Sequence, residues 1–153
     1  MPKFLIASLF LAVSQSTIAN HNFNADDELI KLGIIGQNFK YKDLNLATEF
    51  FKNESEAAKA SFPYKSNDYV EIIEGTTSPF YSSITLKLFV KPPIEDEKEV
   101  TDFMESDEGM QIWCNELFKF NYMRENNHQV DIFYLTKLGE KLKLITLNKE
   151  NCK

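Results

Sequence analysis

The chain has 153 residues, 43% of them hydrophobic and 26% charged, enough for one domain with one core and too few for two ordinary domains. Lys and Arg number 17 against 23 Asp and Glu, a formal charge of -6, so the surface is not built to neutralise a phosphate backbone and nucleic acid is not an expected partner. A mean hydropathy of -0.33 with 5 Gly and 5 Pro excludes a polytopic membrane protein, a collagen-like chain and a low-complexity linker.

The first element in chain order reads as an export signal. Lys3 precedes an apolar run at residues 4–13, interrupted by Ser8, and a small-residue exit follows through Ser14, Ser16, Thr17 and Ala19. About ten apolar residues are too few to cross a bilayer, which takes about 20, but suit the apolar region of a signal peptide. The expected organisation is a cleaved signal at 1–19 and a single α+β domain at 20–153, with no integral membrane span after cleavage. No cysteine stands at the cleavage point to carry a lipid, and loss of Lys3 leaves the mature chain more acidic. The expected location is the periplasm or outside the cell.

The mature start, residues 20–27, reads as a flexible tail rich in Asn and Asp that caps a short helix near Asp26 or Asp27. Gly33 and Gly36 end that helix early. A longer helix is expected over 43–61, capped by Asp43, with Leu44, Ala47, Phe50, Phe51, Ala57 and Ala58 along one side, and Phe62-Pro63 closes it. A β-rich stretch at 69–73 follows the turn-like residues 65–68, and 74–79 reads as a loop. Ile84, Leu86, Leu88 and Val90 then alternate with Thr85, Lys87, Phe89 and Lys91, the period of a strand with one buried face, which Pro92-Pro93 stops.

Acidic residues 95–99 open a helical region with Val100, Phe103 and Met104 inward, as suits the positive end of a helix dipole. A second helix from about Asp107 carries Met110, Trp113, Cys114, Leu117 and Phe118 on one side, and 120–125 adds a last turn. Residues 129–136 and 141–147 form a hairpin turned at Gly139. The fold expected is α+β, in the order α-α-β-β-α-α-β-β, with a four-stranded antiparallel sheet and helices packed on one face. Cys114 and Cys152, an even pair in an exported chain, are expected to form a disulfide worth roughly 4 kcal/mol on the chain-entropy account.

Over residues 57–152 the sequence resembles a family of small exported, periplasmic bacterial proteins of uncharacterised function. The residues that carry the resemblance are Phe62-Pro63, Tyr69-Val70-Glu71-Ile72, Ile84-Thr85-Leu86-Lys87-Leu88, Trp113-Cys114, Val130-Asp131-Ile132-Phe133-Tyr134, Gly139-Glu140-Lys141-Leu142 and Cys152. The resemblance implies export, a C-terminal disulfide and an α+β domain, and it brings no catalytic residues. Where the family has Gly before the first hairpin strand, this chain has Asn127-His128.

Catalytic and cofactor chemistry finds little to stand on. His21 and His128 are far apart, with no His or Cys at ligand spacing, so no metal is expected. Ser78, Ser82 and Ser83 lie without the Gly-x-Ser-x-Gly turn, and Glu95, Asp96, Glu97 and Glu99 read as a solvated helix start. The Gly33-Ile34-Ile35-Gly36 stretch is too short for a nucleotide fingerprint, and no cofactor is expected. His128 reads as a solvated turn residue.

The aromatic content, 13%, is what remains. Helices on one face leave the other face of the sheet open, and Phe89, Phe133 and Tyr134 are the expected docking residues there. The function that follows is a non-catalytic exported module binding a protein partner in the cell envelope, as an assembly accessory or inhibitor. One alternative is an apolar-ligand carrier with a cavity around Phe50, Phe51, Trp113 and Phe118. Another is an envelope hydrolase using His128 or Cys114.

Overall fold

The computed structural model describes residues 24–89 and 96–153. The expected signal at 1–19, most of the expected tail with His21, and the Pro92-Pro93 stop lie outside the described residues. The elements are α1 (Ala25–Lys31), α2 (Leu44–Lys59), β1 (Tyr64–Lys65), β2 (Val70–Thr77), β3 (Tyr81–Leu88), α3 (Glu97–Glu105), α4 (Asp107–Leu117), α5 (Asn121–Glu125), β4 (Gln129–Leu135) and β5 (Lys141–Leu147). Among the described residues no helix is long and apolar enough to cross a membrane.

The α+β class is as expected, but the sheet is mixed rather than purely antiparallel and has five strands in the order β1-β2-β3-β4-β5. β2–β3 and β4–β5 are antiparallel, as short connections require. β3 and β4, however, run parallel, Tyr81 opposite Gln129 through Lys87 opposite Leu135. The physical reason is the connection: α3, α4 and α5 carry the chain back to the starting end of β3, and such a crossover delivers a parallel neighbour. The added strand is β1, whose Tyr64 and Lys65 pair with Ile72 and Glu71 where the sequence reads as a turn.

Local chemistry explains the boundaries. Asp43 caps α2, its carboxylate accepting from Leu46 N–H at 3.0 Å, and Ser106 caps α4 through Gly109 N–H at 3.2 Å. The cap of α1 is Asn24 rather than Asp26 or Asp27. β2 runs on through Thr77, into the expected loop, because its last residues pair with Ser82 and Ser83, and a bulge between Ile72 and Glu74 resets the alternation. The reset turns Gly75 toward the core, where a Cβ would sit 3.3 Å from the Phe62 ring. At Gly109 a Cβ would lie 2.2 Å from Phe103 O, so only Gly lets α4 start this close to α3.

The core lies between the helices and one sheet face. Ile84, Leu86, Leu88, Val130, Ile132, Tyr134, Ile145 and Leu147 come from the strands, and Leu29, Ala47, Phe51, Met104, Trp113 and Leu117 from the helices. Phe51, Trp113 and Phe118, expected around a ligand cavity, are buried in this core, and Phe50 packs half-buried against it. The expected disulfide joins Cys114 on α4 to Cys152 beyond β5, with Cα atoms 5.2 Å apart. Arg124 of α5 donates to the Cys152 carbonyl, so the tail is fastened twice.

Candidate functional site

The alternation of strand side chains puts residues 82, 84, 86 and 88 of β3 and 130, 132 and 134 of β4 on the helix side, and their neighbours on the opposite face. Strand register arranges that face in rows. Glu74, Thr85, Phe133 and Leu144 stand side by side across β2, β3, β4 and β5. On one side lies the row Glu71, Lys87, Leu135 and Lys141, and on the other the row Thr76, Ser83, Asp131 and Thr146. A groove of about 580 Å³ runs over the middle of the face, with Phe133, Leu135, Leu142 and Leu144 as its apolar lining and Glu74 and Thr85 at its far side.

The polar row is internally satisfied. The buried Asp131 carboxylate accepts from Thr146 Oγ1 at 2.7 Å, Gln129 Nε2 at 3.0 Å and the Tyr81 hydroxyl at 3.1 Å. Partial burial, then the bond to Asp131, pushes the Tyr81 phenol above its ordinary range. The middle row is not satisfied in this sense: Phe133 is half-buried, and Leu144 keeps 47% of its surface exposed. An exposed Leu directly opposite a Phe makes a cross-strand apolar pair facing solvent.

Of the three expected docking aromatics, the structure leaves only Phe133 in this row. Tyr134 is 1% exposed on the helix side, a correction with a simple cause: adjacent residues of a strand cannot share a face. Its hydroxyl, like the Trp113 indole N–H, is buried without a hydrogen-bond partner among the described residues, and burial drives the Tyr134 phenol far upward. Phe89 sits one residue past β3, its N–H donating to Tyr69 O at 2.8 Å, four positions along the strand from Thr85 and so away from Phe133. Leu144 and Leu142 were missed. The alternation of Leu144 and Thr146 against Ile145 and Leu147 was the available signal for Leu144, whereas Leu142 falls at the bulge opposite Tyr134 and Leu135 and also packs against the core.

His128 is also not a solvated turn residue. It is 0% exposed, at the entrance to β4, with its ring edge-on to Tyr122. Nδ1 lies 3.0 Å from Pro79 O, an acceptor only, so Nδ1 carries the proton and Nε2 accepts from the Ser82 hydroxyl at 2.9 Å. Ser82 in turn receives the Thr77 hydroxyl at 2.9 Å, and Tyr41 donates to Pro79 O at 2.5 Å. A serine bonded to histidine has the outline of an activated nucleophile. Here Ser82 is 1% exposed, the far ring nitrogen meets a carbonyl rather than a carboxylate, and no substrate can reach the hydroxyl. The chain of bonds locks the β2–β3 turn to the start of β4. Among the described residues no group of His, Cys, Asp and Glu could hold a metal ion, and Cys114 is oxidised in its disulfide.

No protein-family model and no curated protein matches the chain. Among solved structures it is similar to the pilotin EpsS of the type 2 secretion system of Vibrio vulnificus, at 11% identity over 72% of this chain and 94% of that one, with a TM-score of 0.49. It is similar to the type II secretion pilotin AspS of Vibrio cholerae, at 10% identity over 71% and 94%, TM-score 0.49. A Pseudomonas aeruginosa protein described as secreted gives 5% identity over 72% and 96%, again at 0.49. At that level none of the three carries a role over to this chain.

Proposed function

We propose that this chain is a non-catalytic, exported module that binds a protein partner in the cell envelope through the open face of its sheet. The observation that carries the reading is the solvent-facing pair of Phe133 and Leu144 in a groove of about 580 Å³. The signal-like start and the Cys114–Cys152 disulfide support an oxidising location, periplasmic or extracellular. The seclusion of Ser82 and His128 supports the non-catalytic part.

The test is crosslinked capture of partners by the tagged mature protein in its own cell envelope, beside a Phe133→Ser, Leu144→Ser double variant. The wild-type chain should recover one partner in stoichiometric amount, and the variant, with an unchanged circular dichroism spectrum, should lose it. Equal recovery by both proteins would remove the open face from the function. Partner-free protein that retains a small molecule in native mass spectrometry would replace the reading with a carrier.

A further inference from the structure

The partner's chemistry can be narrowed from the edge beside the groove. β5 is the last strand of the sheet, with β4 on one side only. The Asn151 side-chain amide donates to Thr146 O at 2.8 Å, and Asn151 belongs to the tail beyond β5, so this carbonyl is turned away from β4. In an antiparallel pair the outward-turned residues alternate, which turns the N–H and C=O of Leu144 outward as well. The tail covers the edge at Thr146. At Leu144 the unpaired backbone and the exposed side chain stand together, beside Phe133.

Charge decides what can lie there. The hairpin and its exit carry Lys137, Lys141, Lys143, Lys149 and Lys153 against Asp131, Glu140 and Glu150, a basic region on a chain of net charge -6. Lys143 is committed to Glu105 at 2.6 Å, and Lys149 donates to the Asn127 side chain. Lys141 and Lys87, which flank Leu135 on the open face, form no ion pair among the described residues. The carboxylates nearest in the rows are Glu71 beside Lys87 and Glu74, which accepts from Thr85 Oγ1 at 3.2 Å, both on β2 across the groove from the edge. Lysines on an edge strand repel the same edge of a second copy, and for the same reason they admit an acidic strand.

Building on the reading above, we propose that the β5 edge takes an extended, acidic segment of the partner by strand addition. The segment's backbone pairs with the outward N–H and C=O of Leu144, an apolar side chain covers Phe133 and Leu144, and a carboxylate meets Lys141. Backbone pairing supplies affinity, and apolar and acidic side chains on the one face of the segment that meets Leu144 and Lys141 supply selection.

The probes are blocked decapeptides added to isotope-labelled mature protein, each with Thr at every second residue and the remaining positions, which share one face, filled by Val and Glu in turn, by Val and Lys in turn, or by Val and Glu in turn with N-methylation at alternate residues. The Val/Glu peptide should shift the Leu144 amide and slow its exchange, more weakly as salt rises, and should bind at least about tenfold more tightly than the Val/Lys peptide, about 1.4 kcal/mol. N-methylation should abolish this, and Lys141→Glu should reverse the charge preference. Equal binding of the N-methylated peptide, or shifts confined to side chains of the open face, would overturn strand addition and leave face docking intact. Protection of Leu144 that grows with protein concentration alone, with a dimer in sedimentation, would give the edge to a second copy. Failure of all three peptides while the Phe133→Ser, Leu144→Ser variant still loses its partner would also overturn the inference alone, whereas full capture by that variant would overturn both readings.

Discussion

At the residue scale the most instructive position is His128. Burial lowers its pKa from the ordinary value, outweighing the opposite pull of the Pro79 carbonyl, so the folded protein holds the ring neutral where the unfolded chain protonates it. The stability this gives is complete above the unfolded value of about 6.5 and declines as pH falls below it, because the unfolded state then binds the extra proton. A His128→Gln variant keeps a donor for Pro79 and an acceptor for Ser82 without titrating. Between pH 7 and pH 5 the wild type should lose more stability than this variant, read from urea midpoints at each pH, and parallel losses would remove His128 as the cause. The position was legible in part: residue 128 shares the even parity of Val130, Ile132 and Tyr134, the buried side of β4. The same parity rule separates Tyr134 from Phe133. Its partner Ser82 was not legible, since the contact depends on β3 and β4 lying side by side.

Elements in this fold are joined by polar contacts that no local pattern announces. α5 is five residues long and its own N-cap, Phe120, makes no side-chain cap bond. The buried Asp26 of α1 takes that place, accepting from Asn121 N–H at 2.8 Å, Asn121 Nδ2 at 3.0 Å and Tyr122 N–H at 2.9 Å. Sequence reading assigned Asp26 to its own helix, where Asn24 does the capping. Replacing Asp26 by Ala strands two backbone donors in a largely buried site and should cost roughly 2–3 kcal/mol in chemical denaturation. Asn24→Ala removes a single local cap and should cost roughly 1 kcal/mol. Equal losses in the two variants would show that the contact between α1 and α5 adds nothing beyond ordinary capping.

For the whole molecule, sequence periodicity located both long hairpin strands and the helices from α2 to α4, because each shows its own period in contiguous residues. It missed the parallel β3–β4 pairing, which depends on where three helices return the chain, and the two-residue β1, too short to show a period. The disulfide was legible from cysteine parity and a signal-like start, with no knowledge of the fold. The candidate site was half legible: Phe133 follows from strand alternation, whereas Leu144 becomes a site residue only through its register opposite Phe133 and its place at an edge.

The Cys114–Cys152 bond encloses α5, β4 and β5, so the proposed docking face at Phe133 and Leu144 lies within a covalent ring of 38-residue span. Among the described residues the most exposed large apolar side chain, Leu138 at 85%, sits at the ring's outer tip beside Gly139. An endoprotease acting at this tip opens the ring without releasing a fragment. Brief digestion should therefore give one species heavier by a single water in non-reducing mass spectrometry, which separates into two pieces on reduction. Two pieces before reduction would mean that the bond is absent in the protein. A chain built this way can survive a nick at this turn with Phe133 and Leu144 still held on one covalent framework.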